Sequence, residues 1–369
     1  MQTVVRRLDR IYPWELDMYL ASGWYRMGQG IYTCSVLWGD LGPAPVIWTR
    51  LPLKDFAFDK RQRKLMRRNS RRFRVEVRRF VFHEEQERLF SLYRAFFDGY
   101  LAPSFKEQVN GPAEGNVFDS LEVAIYDGDE LVAFSLFDEG MNSTTSISGI
   151  YHPAYARYSL GYWTMLLEIA YSLEKKKGYY YPGYVVPGIP KFDYKLRIGK
   201  NIEGFLPAES RWVPYSRFPH ELLEPNIIIK LLSLLHEELV SRGIRARLFP
   251  KLGLTFGGPR GLLIRSREFM SLYFDSPWLL VVSFPAASDK EWGTLLVVSY
   301  SLKDDCFHLG RQALPPNLSD PHEWPSHGSV SLRGFTGEEV QDNFPENEVF
   351  SCSDLSEALD RILSLAHES

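Results

Sequence analysis

Apolar residues recur along the chain at two spacings, and the switching between them outlines the fold. Spacing of three and four predicts helices over Glu15–Ala21 (Leu16, Tyr19, Leu20), Glu84–Phe97 (Leu89, Phe90, Tyr93, Phe97) and Ser159–Lys176 (Leu166, Leu167, Ile169, Ala170, Leu173). The same spacing predicts helices over Glu221–Val240 and Ser353–Ala366, with Ser353 or Asp354 as cap of the last. Lys60–Asn69 lacks glycine and proline and also reads as helix. Gly23 and Gly178 stand where the first and third of these helices should stop. β-Rich runs predict strands at Ile31–Cys34, Val46–Leu51, Phe73–Phe82, Leu121–Tyr126, Leu131–Phe137, Thr144–Tyr151, Tyr179–Val186, Leu279–Phe284 and Thr294–Tyr300. Asp127-Gly128 is a strong turn signal between two of them. Pro103, Gly111, Pro112 and Gly115 mark a loop.

The order helix, antiparallel strands, helix, strand predicts an α+β core in which a central sheet carries helices on its faces. The Gcn5-related N-acyltransferase (GNAT) fold is one of several arrangements with that order. At 369 residues the expectation is a region 1–50, a core 51–215 and a separate C-terminal α/β unit 216–369. The first residues lack the apolar stretch of a signal peptide, and no apolar run reaches the ~18 residues of a membrane helix. Cys34, Cys306 and Cys352 are too scattered for a disulfide framework. A cytoplasmic protein with no membrane association is expected.

Charge sharpens this outline. Eleven of the twenty residues from Lys60 to Arg79 are lysine or arginine, and Glu76 is their only acid, so the stretch carries +10. The whole chain carries −3, which leaves −13 on the rest. A concentrated basic face on an acidic protein points to a polyanion such as RNA. Residues 316–369 hold eleven acids against Arg333 and Arg361. That tail could lie against the basic run and restrain it, and the C-terminal unit could bind an acceptor or partner.

Three stretches could carry chemistry. In the basic run, arginine forks match phosphate geometry, while Phe73 and Phe80 fall at strand spacing and belong to a core. At Arg157-Tyr158-Ser159-Leu160-Gly161-Tyr162, small residues at a helix start could expose N–H groups to an anion. Acyltransferases bind the pyrophosphate of acetyl-CoA at such a place through [QR]-x-x-G-x-[GA]. Here the arginine-to-glycine gap is one residue too long and Tyr162 replaces the last small residue. The third stretch, Tyr179 to Lys195, packs five tyrosines and two lysines into 17 residues. It reads as an aromatic core strand running into a basic loop, or as the wall of a substrate cleft. The eight histidines are scattered, and His322 and His327 show no metal-binding spacing, so no metal is expected. No G-x-S-x-G elbow is present.

Taken together, residues 12–206 resemble the arginyl-tRNA–protein transferase family, including its bacterial leucyltransferase branch. The resemblance is carried by Tyr12-Pro13, Tyr19-Leu20, Gly23-Trp24-Tyr25-Arg26-Met27-Gly28, Ile31-Tyr32 and Leu51-Pro52-Leu53-Lys54-Asp55-Phe56. It continues through Arg61-Gln62-Arg63-Lys64 and Arg67-Arg68-Asn69, then Ile150-Tyr151-His152-Pro153, Ser159-Leu160-Gly161-Tyr162, Gly183-Tyr184-Val185-Val186, Pro190-Lys191 and Tyr194-Lys195.

The resemblance implies a GNAT-like core whose donor is an aminoacyl-tRNA and whose acceptor is the N-terminal amine of a protein or peptide, commonly one starting with Asp or Glu. No bound cofactor beyond that co-substrate is expected. Arg61, Arg63, Lys64, Arg67, Arg68, Asn69, Arg71 and Arg72 would hold tRNA. Arg157, Ser159, Gly161 and Tyr162 would form an anion-binding loop. Tyr184, Asp193, Tyr194 and Lys195 would line the transfer site, with Asp193 and Glu168 as candidate bases. Family members usually carry a four-cysteine motif that binds a metal or iron–sulfur cluster; here only Cys34 matches it, so no cluster is expected. A tRNA-binding relative without turnover, and an acyl-CoA-dependent N-acyltransferase, remain open as alternatives.

Overall fold

A computed structural model describes residues 4–39, 42–97, 101–111, 116–250, 276–284, 293–314 and 349–368. Contacts divide the chain into two compact units, residues 3–34 with 46–219, and residues 1–2 with 35–45 and 220–369. The first 50 residues are therefore shared between both units, and the change of unit falls at 219/220. His322, His327 and most of the acidic tail lie outside the described residues.

In chain order the elements run β1 (Val4–Arg7), α1 (Pro13–Ala21), β2 (Tyr25–Met27), β3 (Gly30–Thr33), β4 (Val36–Gly39), β5 (Gly42–Pro45), β6 (Ile47–Pro52), α2 (Lys60–Ser70), β7 (Arg74–Arg79), α3 (Glu84–Phe96), α4 (Phe105–Asn110), β8 (Ser120–Asp127), β9 (Glu130–Glu139), β10 (Ser143–Tyr151), α5 (Leu160–Glu174) and β11 (Tyr179–Val185). A 3₁₀ segment follows over Pro190–Ile198, then β12 (Glu203–Leu206) and β13 (Arg211–Pro214). Helix α4 falls inside the stretch expected as a loop. The Ser104 hydroxyl accepts from the Glu107 N–H at 3.2 Å and starts it, and Gly111 ends it at φ 58°. Two turns are too short to display a period.

Eight strands form one sheet in the order β13-β12-β6-β11-β10-β9-β8-β7. Only β10 and β11 are parallel; every other pair is antiparallel. Alternation along the central strands divides their side chains between two cores. Val123, Ile125, Ala133 and Phe137 meet Leu160, Trp163, Leu166 and Ile169 of α5 on one face. Ala124, Tyr126, Phe134 and Leu136 meet Leu89 and Phe90 of α3 and Phe105 and Val109 of α4 on the other. Burial on both faces explains why β8 and β9 read as continuous apolar runs, each large side chain contributing about 1.5–3 kcal/mol.

The single parallel contact is short. Ser143, Thr144 and Thr145 pair with Tyr179, Tyr180 and Tyr181, and the ladder stops there. Strand β10 then bulges between Ser146 and Ser148, and β11 shifts register against β6 between Tyr180 and Gly183. The sheet is thus split between the far halves of β10 and β11. Helix α5 rides close along β10 on its small residues: a Cβ on Gly161 would sit 3.2 Å from the Tyr151 ring, and the Thr144 and Ser172 hydroxyls bond at 2.6 Å.

The second unit, described by itself, holds the β4–β5 hairpin, α6 (Glu224–Ser241), β14 (Arg245–Pro250), β15 (Trp278–Phe284), β16 (Gly293–Ser301), β17 (Cys306–Leu314), β18 (Val349–Cys352) and α7 (Leu355–Glu368). Its five strands β14 to β18 form one antiparallel sheet in sequence order. Leu280, Val282, Leu296 and Val298 face Leu232, Leu235 and Leu239 of α6 and Ile362 of α7. Helix α6 starts three residues later than its apolar spacing suggests, because Pro225 fits the first turn and His220–Leu222 forms a separate 3₁₀ turn.

Candidate functional site

The basic run divides in two. Asp59 caps α2, its carboxylate accepting from the Gln62 N–H at 2.8 Å, and the helix carries the first part of the run. Arg74, Arg78 and Arg79 lie on β7 and are matched by acids: Arg74 with Glu76, Arg78 with Glu76, Glu85 and Glu122, Arg79 with Asp119. Arg72 pairs with Asp127 at 2.6 Å, and that guanidinium in turn lowers the Asp127 carboxyl. Seven cations (Lys60, Arg61, Arg63, Lys64, Arg67, Arg68 and Arg71) have no carboxylate partner among the described residues, and all seven are exposed. The unneutralised charge therefore belongs to α2 and its end, not to the strand.

Two residues of that run turn inward. Asn69 is fully buried, and its amide donates to the Tyr158 carbonyl at 2.9 Å. It cannot reach a phosphate, so its expected place among the tRNA contacts is corrected to one of positioning. Gln62 is buried too: its Nε2 donates to the Ile198 carbonyl at 2.9 Å, the Arg197 carbonyl at 3.2 Å and the Tyr162 hydroxyl at 3.1 Å. The sequence reading missed it, although an uncharged amide flanked by cations within a basic helix was a visible signal. Arg72, committed to Asp127 and the Tyr158 hydroxyl, is likewise removed from the free cations.

The loop before α5 is stitched to α2 through these contacts. Ser159 takes a left-handed backbone (φ 53°) and makes no side-chain cap. The Tyr158 ring lies under three guanidiniums, with Arg72 and Arg157 at 4.9 Å and Arg68 at 5.7 Å. Tyr162 donates its hydroxyl to the Arg197 carbonyl at 2.9 Å, so it occupies the loop where a small residue would leave room for a pyrophosphate. Arg157 is exposed and close to Arg68 through their shared ring, which joins the expected anion loop and the basic helix into one positive surface.

The 3₁₀ segment held by Gln62 and Tyr162 also carries Tyr194 and Lys195. Lys195 Nζ donates to the Tyr184 carbonyl at 2.9 Å and lies 5.0 Å above the Tyr184 ring. Gly183, at φ 94°, lets it approach, since a Cβ there would stand 3.3 Å from Nζ. Burial draws the Lys195 ammonium down to about 8. Burial, then the charges of Glu168, Tyr184 and Tyr151, hold the Tyr194 hydroxyl up to about 12. Tyr184, Tyr194 and Lys195 are thus brought together beside the split. Asp193 is not: it is exposed, and its charge is felt by Tyr215.

Cys34 sits near Tyr32 and Tyr184, while Trp48 stacks on Tyr25 at 4.0 Å and meets Tyr32 and Tyr184 edge-on at 5.3 and 5.2 Å. Burial pushes the Cys34 thiol up to about 12. One neutral thiol among aromatic rings does not fit an iron–sulfur cluster or a zinc ion. Among the described residues no group of three or more His, Cys, Asp or Glu is placed to hold a metal.

The C-terminal family of arginine-tRNA-protein transferases matches residues 71–201, which span β7 to the end of the 3₁₀ segment. This part of the chain is similar to the arginine-tRNA-protein transferase family. Curated relatives match more of it. An aspartate/glutamate leucyltransferase of Pseudoalteromonas atlantica is 27% identical over 198 residues, covering 52% of this chain and 79% of the relative. One from Leptospira interrogans is 25% identical over 209 residues, 55% of this chain and 79% of its own length. A GCN5-related N-acetyltransferase structure from Kribbella flavida overlaps 42% of this chain and 52% of its own at 16% identity, with a TM-score of 0.24, too slight a likeness to argue from. The matched region contains Tyr184, Tyr194, Lys195 and the α5 loop, while α2 lies before it. No helix among the described residues is long and apolar enough to cross a membrane.

Proposed function

We propose that this protein is an aminoacyl-tRNA–protein transferase that moves arginine or leucine from charged tRNA to the N-terminal amine of a protein or peptide, on a GNAT-like sheet. One observation carries the reading beyond that similarity: Gln62 and Tyr162 tie the cationic helix, the start of α5 and the Tyr194–Lys195 segment into one piece beside the split sheet. Phosphates held on α2 and Arg157 would leave the acceptor end of the tRNA near Tyr184 and Lys195. The reaction is aminolysis of an ester. Positioning supplies most of the acceleration, and the Lys195 ammonium is suited to the oxyanion that forms at the ester carbonyl. No resident cofactor is required.

Incorporation of radiolabelled arginine or leucine from charged tRNA into a peptide beginning with Asp or Glu tests this reading; no incorporation from either tRNA overturns it. The lone Cys34 favours one second reading, a relative that grips tRNA without turnover, for which salt-sensitive binding would persist while transfer stays at background. The occupied Tyr162 position speaks against an acyl-CoA donor, and calorimetric binding of acetyl-CoA would reverse that.

A further inference from the structure

One ionisable group in the core is used neither by the fold nor by the contacts above. Glu168 lies on the inner side of α5, in the row Gly161, Thr164, Glu168, Ser172 that runs along β10. It is fully buried, and no cation pairs with it among the described residues. Its Oε2 accepts from the Tyr180 hydroxyl at 2.6 Å. Its Oε1 makes no hydrogen bond of ordinary geometry, and neither does the buried Ser135 hydroxyl. Ser135 and Ser146 are nevertheless close enough for their hydroxyls to act on the carboxyl.

The position of this cluster matters. Tyr180 is the middle residue of the three-residue β10–β11 ladder, and Ser146 is the first β10 residue beyond it, where the bulge begins. The half-bonded carboxyl therefore sits at the base of the split, and its charge, like that of Tyr184, acts on the Tyr194 hydroxyl. A buried carboxyl with one idle oxygen and no cation is costly to keep. The cost is recovered when a cation or a proton arrives.

We propose that Glu168 is the catalytic base that receives the proton of the acceptor's N-terminal amine; this rests on the transferase reading above. The acceptor enters between the diverging strands as an ammonium and bonds Oε1. Glu168 takes one proton, which leaves a neutral amine with its lone pair free. That nitrogen attacks the ester carbonyl, the new C–N bond forms, and the C–O bond to the tRNA ribose breaks. The second amine proton goes to the departing ribose oxygen, and Glu168 returns its proton to solvent as product leaves. Burial, which raises this carboxyl to about 7, matches it to an amine donor near neutral pH.

The test compares the wild-type protein with Glu168→Gln and Tyr180→Phe in peptide aminoacylation across pH 5.5–9. Wild type should lose kcat/KM below an apparent pKa near 7. Glu168→Gln should fall at least 100-fold and lose that acidic limb, with tRNA affinity within twofold of wild type as the check on folding. Tyr180→Phe removes the hydroxyl that steadies the carboxylate and should move the limb to higher pH. Wild-type rate and an unchanged limb in Glu168→Gln overturn the assignment and leave the transferase reading standing. Absence of transfer by wild type itself overturns both.

Discussion

Gln62 Nε2 lies 2.9 Å from the Ile198 carbonyl, which joins the cationic helix to the segment bearing Tyr194 and Lys195. The same amide reaches the Tyr162 hydroxyl, so three elements depend on one buried side chain. Gln62→Ala should therefore separate grip from turnover. The exposed cations remain, and tRNA affinity should change by no more than about threefold. The transfer rate should fall by about tenfold or more, because small misplacement of reacting groups is expensive. Parallel filter binding and single-turnover transfer would decide this; equal losses in both would show that Gln62 only supports folding.

The division of the basic run predicts which substitutions RNA can feel. Replacing Arg61, Arg63, Arg67 and Arg71 one at a time with glutamine should weaken tRNA binding and reduce the log–log salt slope by about one per lost phosphate contact. Arg74 and Arg79 answer to Glu76 and Asp119, and their replacement should leave the slope unchanged. A slope that drops equally for Arg79 would place the RNA on β7 instead.

Asn69 extends the same logic to stability. Asn69→Ala leaves the Tyr158 carbonyl with only the Arg68 guanidinium at 3.2 Å. Loss of a buried bond of this kind should cost about 1–3 kcal/mol in urea unfolding. Affinity for tRNA should hardly change, since the side chain is fully buried. A large loss of affinity with unchanged stability would restore Asn69 to the RNA contacts.

The contrast between Asn69 and Arg67 explains what sequence could and could not reveal. Patterning located α2, the β8–β9 hairpin, α5 and β11 within a few residues, because each has a period, a cap or a turn signal. It located the concentration of charge on α2 as well. It could not assign individual side chains within the run, since Arg72, Arg74, Arg78 and Arg79 meet acids 2 to 55 positions away. Nor could it find the split between β10 and β11, which arises from a parallel contact between strands separated by a whole helix. Strands β12 and β13, four residues each, carry too few positions to show alternation.

The aromatic surroundings of Cys34 lead to a test of cofactor independence. A thiol raised to about 12 by burial is neutral at any working pH and is a poor ligand and nucleophile. Cys34→Ser should keep at least half of wild-type transfer. Activity should also survive aerobic preparation and incubation with a strong chelator. Loss of activity in either, restored by iron or zinc, would show that a metal is recruited despite the lone thiol.

The buried carboxyl at Glu168 gives a prediction for stability that needs no substrate. Its pKa in the folded protein, about 7, is raised above the 4.5 of an unfolded carboxyl. The folded state thus holds this proton more tightly than the unfolded chain does. Stability from this group is fully present below about pH 4.5 and is lost as pH rises through 7. At about 1.4 kcal/mol per pH unit, the wild-type protein should lose on the order of 3 kcal/mol across that window through this group alone. Glu168→Gln cannot ionise and should escape the loss. The variant should therefore be more stable than wild type at pH 8, with the difference shrinking toward zero near pH 4.5. Urea titrations of both proteins at pH 5, 6.5 and 8 would measure it. A difference that does not vary with pH would mean that Glu168 keeps an ordinary pKa, and that the split reaches water more freely than its burial indicates.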